Sequence, residues 1–354
     1  MKKLLFLLTA VLLVGFFSCH QSSKSTVWTE DSLYKAAITL FDTVPAIADN
    51  SENPVTEAKV HLGKVLYYDN RLSNKGSQSC NTCHNLNTFG VDNKPTSLGD
   101  DGKTTGTRNS PTVLNAALHS SQFWDGRAKD VEEQAVMPIM NPVEMAMPHK
   151  DILMARLTKD KTYNKLFRDA FPGEPKPVKF DNVGKAIGAF ERTLVTPSSF
   201  DEYLAGHKNA ITTEEKAGLQ LFIQSGCTSC HNGVAIGGSA LMKFGVTADY
   251  RTLTGSKTND EGRKAVTKNA ADKDVFKVAS LRNVSGTYPY FHDGSVKDLP
   301  TAVRVMAKAQ LNKDLNQQEV DNIVAFLRTL TGRLDPRDKR PPVELSNALI
   351  RKEM

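Results

Sequence analysis

The sequence predicts an all-α protein of two related domains, and three observations carry that prediction. Apolar residues recur at helical spacing, alternating strand patterns are scarce, and one segment pattern occurs twice along the chain. The length, 354 residues, suits about two domains at roughly 150 residues each. With 40% hydrophobic and 24% charged residues, the composition excludes a disordered chain, a collagen-like fibre and a polytopic membrane protein. The formal charge of +6 falls to +4 once Lys2 and Lys3 of the leader are removed. Basic and acidic residues are mixed, with no Lys/Arg block of the kind that marks a nucleic-acid arm, so no nucleic-acid partner is expected.

Residues 1–18 read as a lipoprotein signal peptide. Lys2 and Lys3 give the positive start, and Leu4 to Phe17 is an almost unbroken apolar run, short for a membrane span. Phe16-Phe17-Ser18-Cys19 resembles a bacterial lipoprotein box, with Phe16 where Leu is more usual. That resemblance implies an acylated Cys19 at the new N-terminus and a polar tether over 19–30. The chain is therefore expected to be exported, with a soluble body lipid-anchored on the periplasmic side of a bacterial membrane.

Leu33, Ala36, Ala37, Leu40 and Phe41 share one helical face, with Asp31 as candidate N-cap. Phe180, Val183, Ile187, Phe190 and Leu194 repeat the pattern. Thr212 with Glu215 forms a candidate capping box ahead of Leu219 and Phe222, and Asn316 with Glu319 another ahead of Val320, Ile323, Val324 and Leu327. Thr196-Pro197-Ser198-Ser199 breaks the chain into 31–196 and 197–332. The tail, 333–354, carries Pro336, Pro341 and Pro342 among charges and is expected on the surface. Gly63-Lys64-Val65-Leu66-Tyr67 precedes the first cysteine pair as Gly218-Leu219-Gln220-Leu221-Phe222 precedes the second.

Five cysteines are too few for a disulfide scaffold of this size. Apart from Cys19 they form Cys80-Asn81-Thr82-Cys83-His84 and Cys227-Thr228-Ser229-Cys230-His231. C-x-x-C-H is the attachment signature of c-type haem: two thiols bond the porphyrin vinyl groups and the histidine ligates iron. Pairs sharing a zinc lie about 15–20 residues apart, whereas Cys227 follows Cys80 by 147 residues. Thioredoxin-like motifs belong near βαβ patterns and do not need the histidine. Two cytochrome c-like domains follow, each with one covalently attached c-type haem. A thioether as second axial ligand suits electron transfer, and an open sixth position suits peroxide.

The segment between the motifs carries Arg108-Asn109-Ser110-Pro111-Thr112-Val113-Leu114-Asn115, then Gln122-Phe123-Trp124-Asp125-Gly126-Arg127, Gln134 and Pro142-Val143-Glu144-Met145. It strongly resembles the bacterial dihaem cytochrome c peroxidases, close relatives of the methylamine-utilisation dihaem oxidases. Gly262-Arg263, Leu281-Arg282-Asn283-Val284 and Pro289-Tyr290-Phe291-His292 extend the match over nearly all of 55–332. The resemblance implies a low-potential peroxidatic haem on Cys80, Cys83 and His84. It implies a high-potential haem on Cys227, Cys230 and His231, with Met306 as sixth ligand by position; the alternative is a Met306 that packs in a helix core, with Met242 as the rival ligand. It implies Glu144 as distal acid–base, Gln134 as a distal amide and Trp124 between the haems. Asn109, Thr287 and Pro289 match a calcium site of neutral oxygens. The implied activity is cytochrome-c peroxidase: hydrogen peroxide becomes water, with electrons from a small c-type cytochrome or similar donor, in a homodimer.

One departure stands out. Many relatives carry a histidine in the loop after the first motif that closes the peroxidatic iron, but residues 96–103 contain none. The first haem is therefore expected to be open in the oxidised enzyme. His61, His119 and His149 read as ordinary structural or surface histidines. Two alternatives remain: a dihaem oxidase acting on a partner protein, which carries Tyr where Met306 stands, and a non-catalytic electron carrier.

Overall fold

The computed structural model describes residues 28–345. The signal peptide, Cys19, most of the tether and the end of the tail lie outside the described residues.

The architecture is mostly helical, as the periodicity predicts. Helix α1 (Glu30–Leu40) is capped by Thr29, whose side chain accepts from Ser32 N, not by Asp31. Asp31 sits in the first turn, where its charge faces the free N–H groups. α2 (Glu57–Tyr68) leads into α3 (Cys80–Cys83), and α4 (Val131–Met140), α5 (Lys150–Lys159) and α6 (Lys161–Ala170) follow. α7 (Phe180–Glu191) ends before Leu194, which is nevertheless fully buried. The second half holds α8 (Ser199–Leu204), α9 (Thr213–Gln224), α10 (Tyr250–Thr254), α11 (Lys264–Thr267), α12 (Leu299–Leu311) and α13 (Gln317–Arg328). Both anticipated capping boxes form, at Thr212/Glu215 and Asn316/Glu319. Strand β1 (Leu241–Lys243) pairs antiparallel with β2 (Val275–Lys277).

The repeated segments occupy equivalent places. Gly63 on α2 meets α7 so closely that a Cβ would lie 1.9 Å from Ala186 O, beside Phe190. Gly218 on α9 meets α13 in the same way, with a Cβ 1.8 Å from Asn322 O, beside Phe326. In each half a glycine lets two helix backbones touch, and an apolar core forms around the crossing. The chain ends exchange partners against chain order. Leu33 and Ala37 of α1 and the adjacent Phe41 pack in the second core, and Leu334 of the tail packs in the first. The rest of the described tail lies against α2, where Tyr68 Oη donates to Asp338 O and His61 pairs with Glu344 at 2.8 Å.

Gly63→Ala or Gly218→Ala must push two helices apart. Each is expected to lower stability by about 1–3 kcal/mol in denaturant unfolding of the holoprotein. Gly106→Ala, where a Cβ meets nothing closer than 4.0 Å, serves as the neutral control.

Candidate active site

Both motifs present their histidines the same way. His84 Nδ1 lies 2.9 Å from Pro111 O, and His231 Nδ1 lies 3.3 Å from Ile236 O. A carbonyl only accepts, so Nδ1 carries the proton and Nε2 keeps its lone pair for a metal. Burial lowers the affinity of both rings for a second proton, pushing His231 down to about 4, so the ligand form is the neutral one. Tyr67 fixes the first motif by donating to His84 O. At the second, Gly237 is obligatory: at φ +125° a Cβ would sit 2.2 Å from Ala279 O and 3.2 Å from His231 Nδ1.

One apolar cavity is lined by Cys227, Cys230, His231, Met306, Trp124 and Pro289. Met306 faces it from α12. Met242, also on its wall, is 40% exposed on β1. His119 and His292 on the same wall have buried Nε2 atoms without a protein partner. Two thiols, a neutral imidazole, a thioether and orphaned polar atoms in an apolar hollow fit a haem c group. The first motif offers the same thiols and imidazole.

Trp124 stands on the cavity wall between these regions. Its Nε1 donates to Asn109 O at 2.9 Å, its own carbonyl accepts from Lys277 N at 2.6 Å, and its ring meets His292 edge-on at 6.4 Å. Asn109, Thr287 and Pro289 line the same cavity. Asn109 Nδ2 is engaged by Lys94 O at 2.8 Å, which leaves Oδ1 as an acceptor. Among the described residues no cluster of three or more His, Cys, Asp or Glu could hold a metal ion.

Gln134 is half-buried on α4, and Glu144 sits in the turn that follows it. That turn folds back on the helix: Met145 N donates to Pro138 O and Met147 N to Ile139 O. Burial raises the Glu144 carboxyl above the usual carboxylate range, against the pull of the Arg127 charge and a hydrogen bond with Asn141. Asp100 N donates to Glu144 O at 2.7 Å and the Asp100 carboxylate accepts from Ser77 Oγ at 2.6 Å, so this turn is tied to the lead-in of the first motif.

The model of the di-haem cytochrome c peroxidase family matches residues 57–209, and that of cytochrome c matches 215–331. Cytochrome c551 peroxidase of Pseudomonas aeruginosa is 47% identical over 88% of this chain and 89% of its own length. The chain belongs to the di-haem cytochrome c peroxidase family. The methylamine utilization protein MauG of Methylophilus methylotrophus is 31% identical over 87% of this chain and 92% of its own. A crystal structure of a MauG-like protein associated with microbial copper homeostasis superposes with a TM-score of 0.74 at 27% identity, covering 85% of this chain and 97% of that one. As a member of this family the chain carries two haem c groups.

In this di-haem peroxidase an ion-pair network centres on Asp125, the residue after Trp124, and includes Arg127. Arg108 binds Asp125 at 2.6 Å and Asp260 at 2.6 and 2.8 Å, while Arg263 Nη1 donates to Asp125 O at 2.8 Å. Asp125 and Asp260 lie far apart in the chain, so no local pattern marks the pairing. His119 is no ordinary surface residue either: its ring packs on Gly238, and Nδ1 meets the buried Lys277 Nζ at 3.1 Å. His149 stands at the N-terminus of α5.

Arg108→Met strands the largely buried Asp260 carboxylate, while Asp125 keeps its pairing with Arg127. We expect a loss of about 3–5 kcal/mol in chemical unfolding, with Trp124 fluorescence changing before the global transition.

Proposed function

We propose that this chain reduces hydrogen peroxide to two waters, consuming two electrons and two protons. A small c-type cytochrome or similar protein supplies the electrons at the C-terminal haem, and they pass to the N-terminal one. The observation that carries this reading is Glu144: a half-buried carboxyl of raised pKa, on a turn hydrogen-bonded to the lead-in of the first motif, in a chain 47% identical to a named peroxidase.

Cys80, Cys83 and His84 would hold the first haem, and Cys227, Cys230, His231 and Met306 the second. When bound, each haem supplies an iron that exchanges single electrons, and the first also supplies the position where peroxide oxygen binds. The remaining work falls to side chains. Glu144 as carboxylate takes the proton from one peroxide oxygen and returns it to the other, so that water departs instead of hydroxide. Gln134 can orient the peroxide through its amide. Trp124 packs the gap between the haem sites with a polarizable ring, anchored through Asn109 and Lys277. Asn109 Oδ1 with the carbonyls of Thr287 and Pro289 would give a bound calcium a neutral oxygen shell, of modest affinity and structural role.

The absence of histidine from residues 96–103 favours an ungated first haem. His119 is tied to Lys277, and His149 begins α5, so neither offers a substitute. Among the described residues no helix is long and apolar enough to cross a membrane. The apolar leader and Cys19 support a lipid-anchored, periplasmic protein.

Glu144→Gln should cut kcat/KM for peroxide by about a hundredfold or more, read by steady-state oxidation of a reduced cytochrome. Wild-type rates would remove Glu144 from the reaction. The base must be ionised, so activity falls as pH drops through the Glu144 pKa, above the ordinary carboxylate range. Arg127 lowers that pKa, so Arg127→Met should move the acid limb to higher pH. In EPR, the all-ferric protein should show an open, high-spin first haem. A wholly low-spin, bis-histidine spectrum would contradict the ungated reading.

A further inference from the structure

We infer that Asp100 is a positioning residue for the peroxide step: it locks the loop after the first motif onto the backbone of Glu144, making that loop a fixed brace. The inference rests on the reading of Glu144 as the proton-transferring group.

The geometry is a three-way junction. Asp100 N donates to Glu144 O at 2.7 Å. The Asp100 carboxylate, in a residue only 4% exposed, accepts from Lys75 N at 2.6 Å and from Ser77 Oγ at 2.6 Å. Lys75 and Ser77 belong to the segment that runs directly into Cys80. One buried residue thus joins the lead-in of the haem motif, through its carboxylate, to the turn bearing the acid, through its backbone N–H.

Neighbouring contacts close the same junction. Gln78 Nε2 donates to Leu98 O and Gly99 O, both at 2.9 Å, and Asn74 N donates to Met145 O at 2.8 Å. Gly99 lies against the acid-bearing turn, where a Cβ would be 2.6 Å from Val143 O. Across the loop, Leu98 and Thr105 form an antiparallel bridge. Burial alone would push the Asp100 carboxyl up, but its hydrogen bonds from Ser77 and the Lys75 N–H more than reverse this, so the acceptor stays charged.

The physical consequence is height control. Proton transfer needs the carboxylate within hydrogen-bond reach of the peroxide oxygens, and a displacement of about 1 Å can cost about a hundredfold in rate. Asp100 helps set the position of Glu144 relative to Cys80, because its carboxylate ties Lys75 and Ser77 and its N–H ties Glu144 O, in parallel with the Asn74 N to Met145 O bond. A loop held this way cannot swing across the iron without breaking buried, charge-assisted hydrogen bonds.

The test is a double-mutant cycle on the full chain carrying both haems, with Asp100→Ala, Glu144→Gln and the pair. Asp100→Ala should lower kcat/KM for peroxide about ten- to a hundredfold while leaving the donor KM and the second-haem spectrum unchanged. In the Glu144→Gln background the same substitution should cost less than twofold, because its effect runs through Glu144. Asp100→Asn, which keeps one acceptor oxygen, should fall between. Equal losses in both backgrounds, or wild-type peroxide kinetics with only a lower Tm, would overturn the inference and leave the role of Glu144 intact. Wild-type rates in Glu144→Gln would fell the underlying reading itself. Should Asp100→Ala fail to load haem, Asp100→Asn decides by the same criteria.

Discussion

Two carbonyl oxygens set the terms for the rest of the molecule. Pro111 O and Ile236 O each accept a hydrogen bond from the Nδ1–H of a motif histidine and so leave the Nε2 lone pair free. Each contact also reaches into the architecture around it. Pro111 belongs to the segment that carries Arg108 and Asn109, so the first histidine is tied to the region that anchors Trp124. Ile236 is fully buried in the second core, so the second histidine is tied to the packing around α9 and α13. The glycine crossings at Gly63 and Gly218 set the helix pairs on which both arrangements stand.

The two halves share this scaffold, and their chemical difference arises from what surrounds it. Around the second motif the wall is apolar and carries Met306 on α12. Around the first, the turn after α4 brings in a carboxyl whose proton affinity is raised by burial. The two motifs thus stand in chemically unlike surroundings, a thioether near one and a carboxyl near the other, which is what the proposed division of labour requires. Between the halves, Trp124 is held by contacts from both: Asn109 from the first, Lys277 from the second.

Much of this was legible in the sequence because it is local. The motifs C-x-x-C-H, the capping boxes at Thr212 and Asn316, and the paired glycines are short patterns with direct physical meaning. What escaped was set by distant residues. Thr29 took the cap expected of Asp31 because the helix begins two residues earlier. Helix α1 and the tail exchange cores, which no local periodicity reveals. Arg108 finds Asp260, and Asp100 finds Lys75, Ser77 and Glu144, only once the chain is folded. The buried setting of His119 beside Lys277 likewise depends on Gly238, far along the chain.

The most direct test of the whole account compares peroxide reduction by the fully oxidised and the pre-reduced enzyme, both haems loaded and calcium in the buffer, with a reduced small cytochrome as donor. A carboxylate already held beside an ungated first haem predicts equal initial rates from the two forms. Turnover only after pre-reduction would contradict the open site, and no turnover in either form would make the chain an electron carrier.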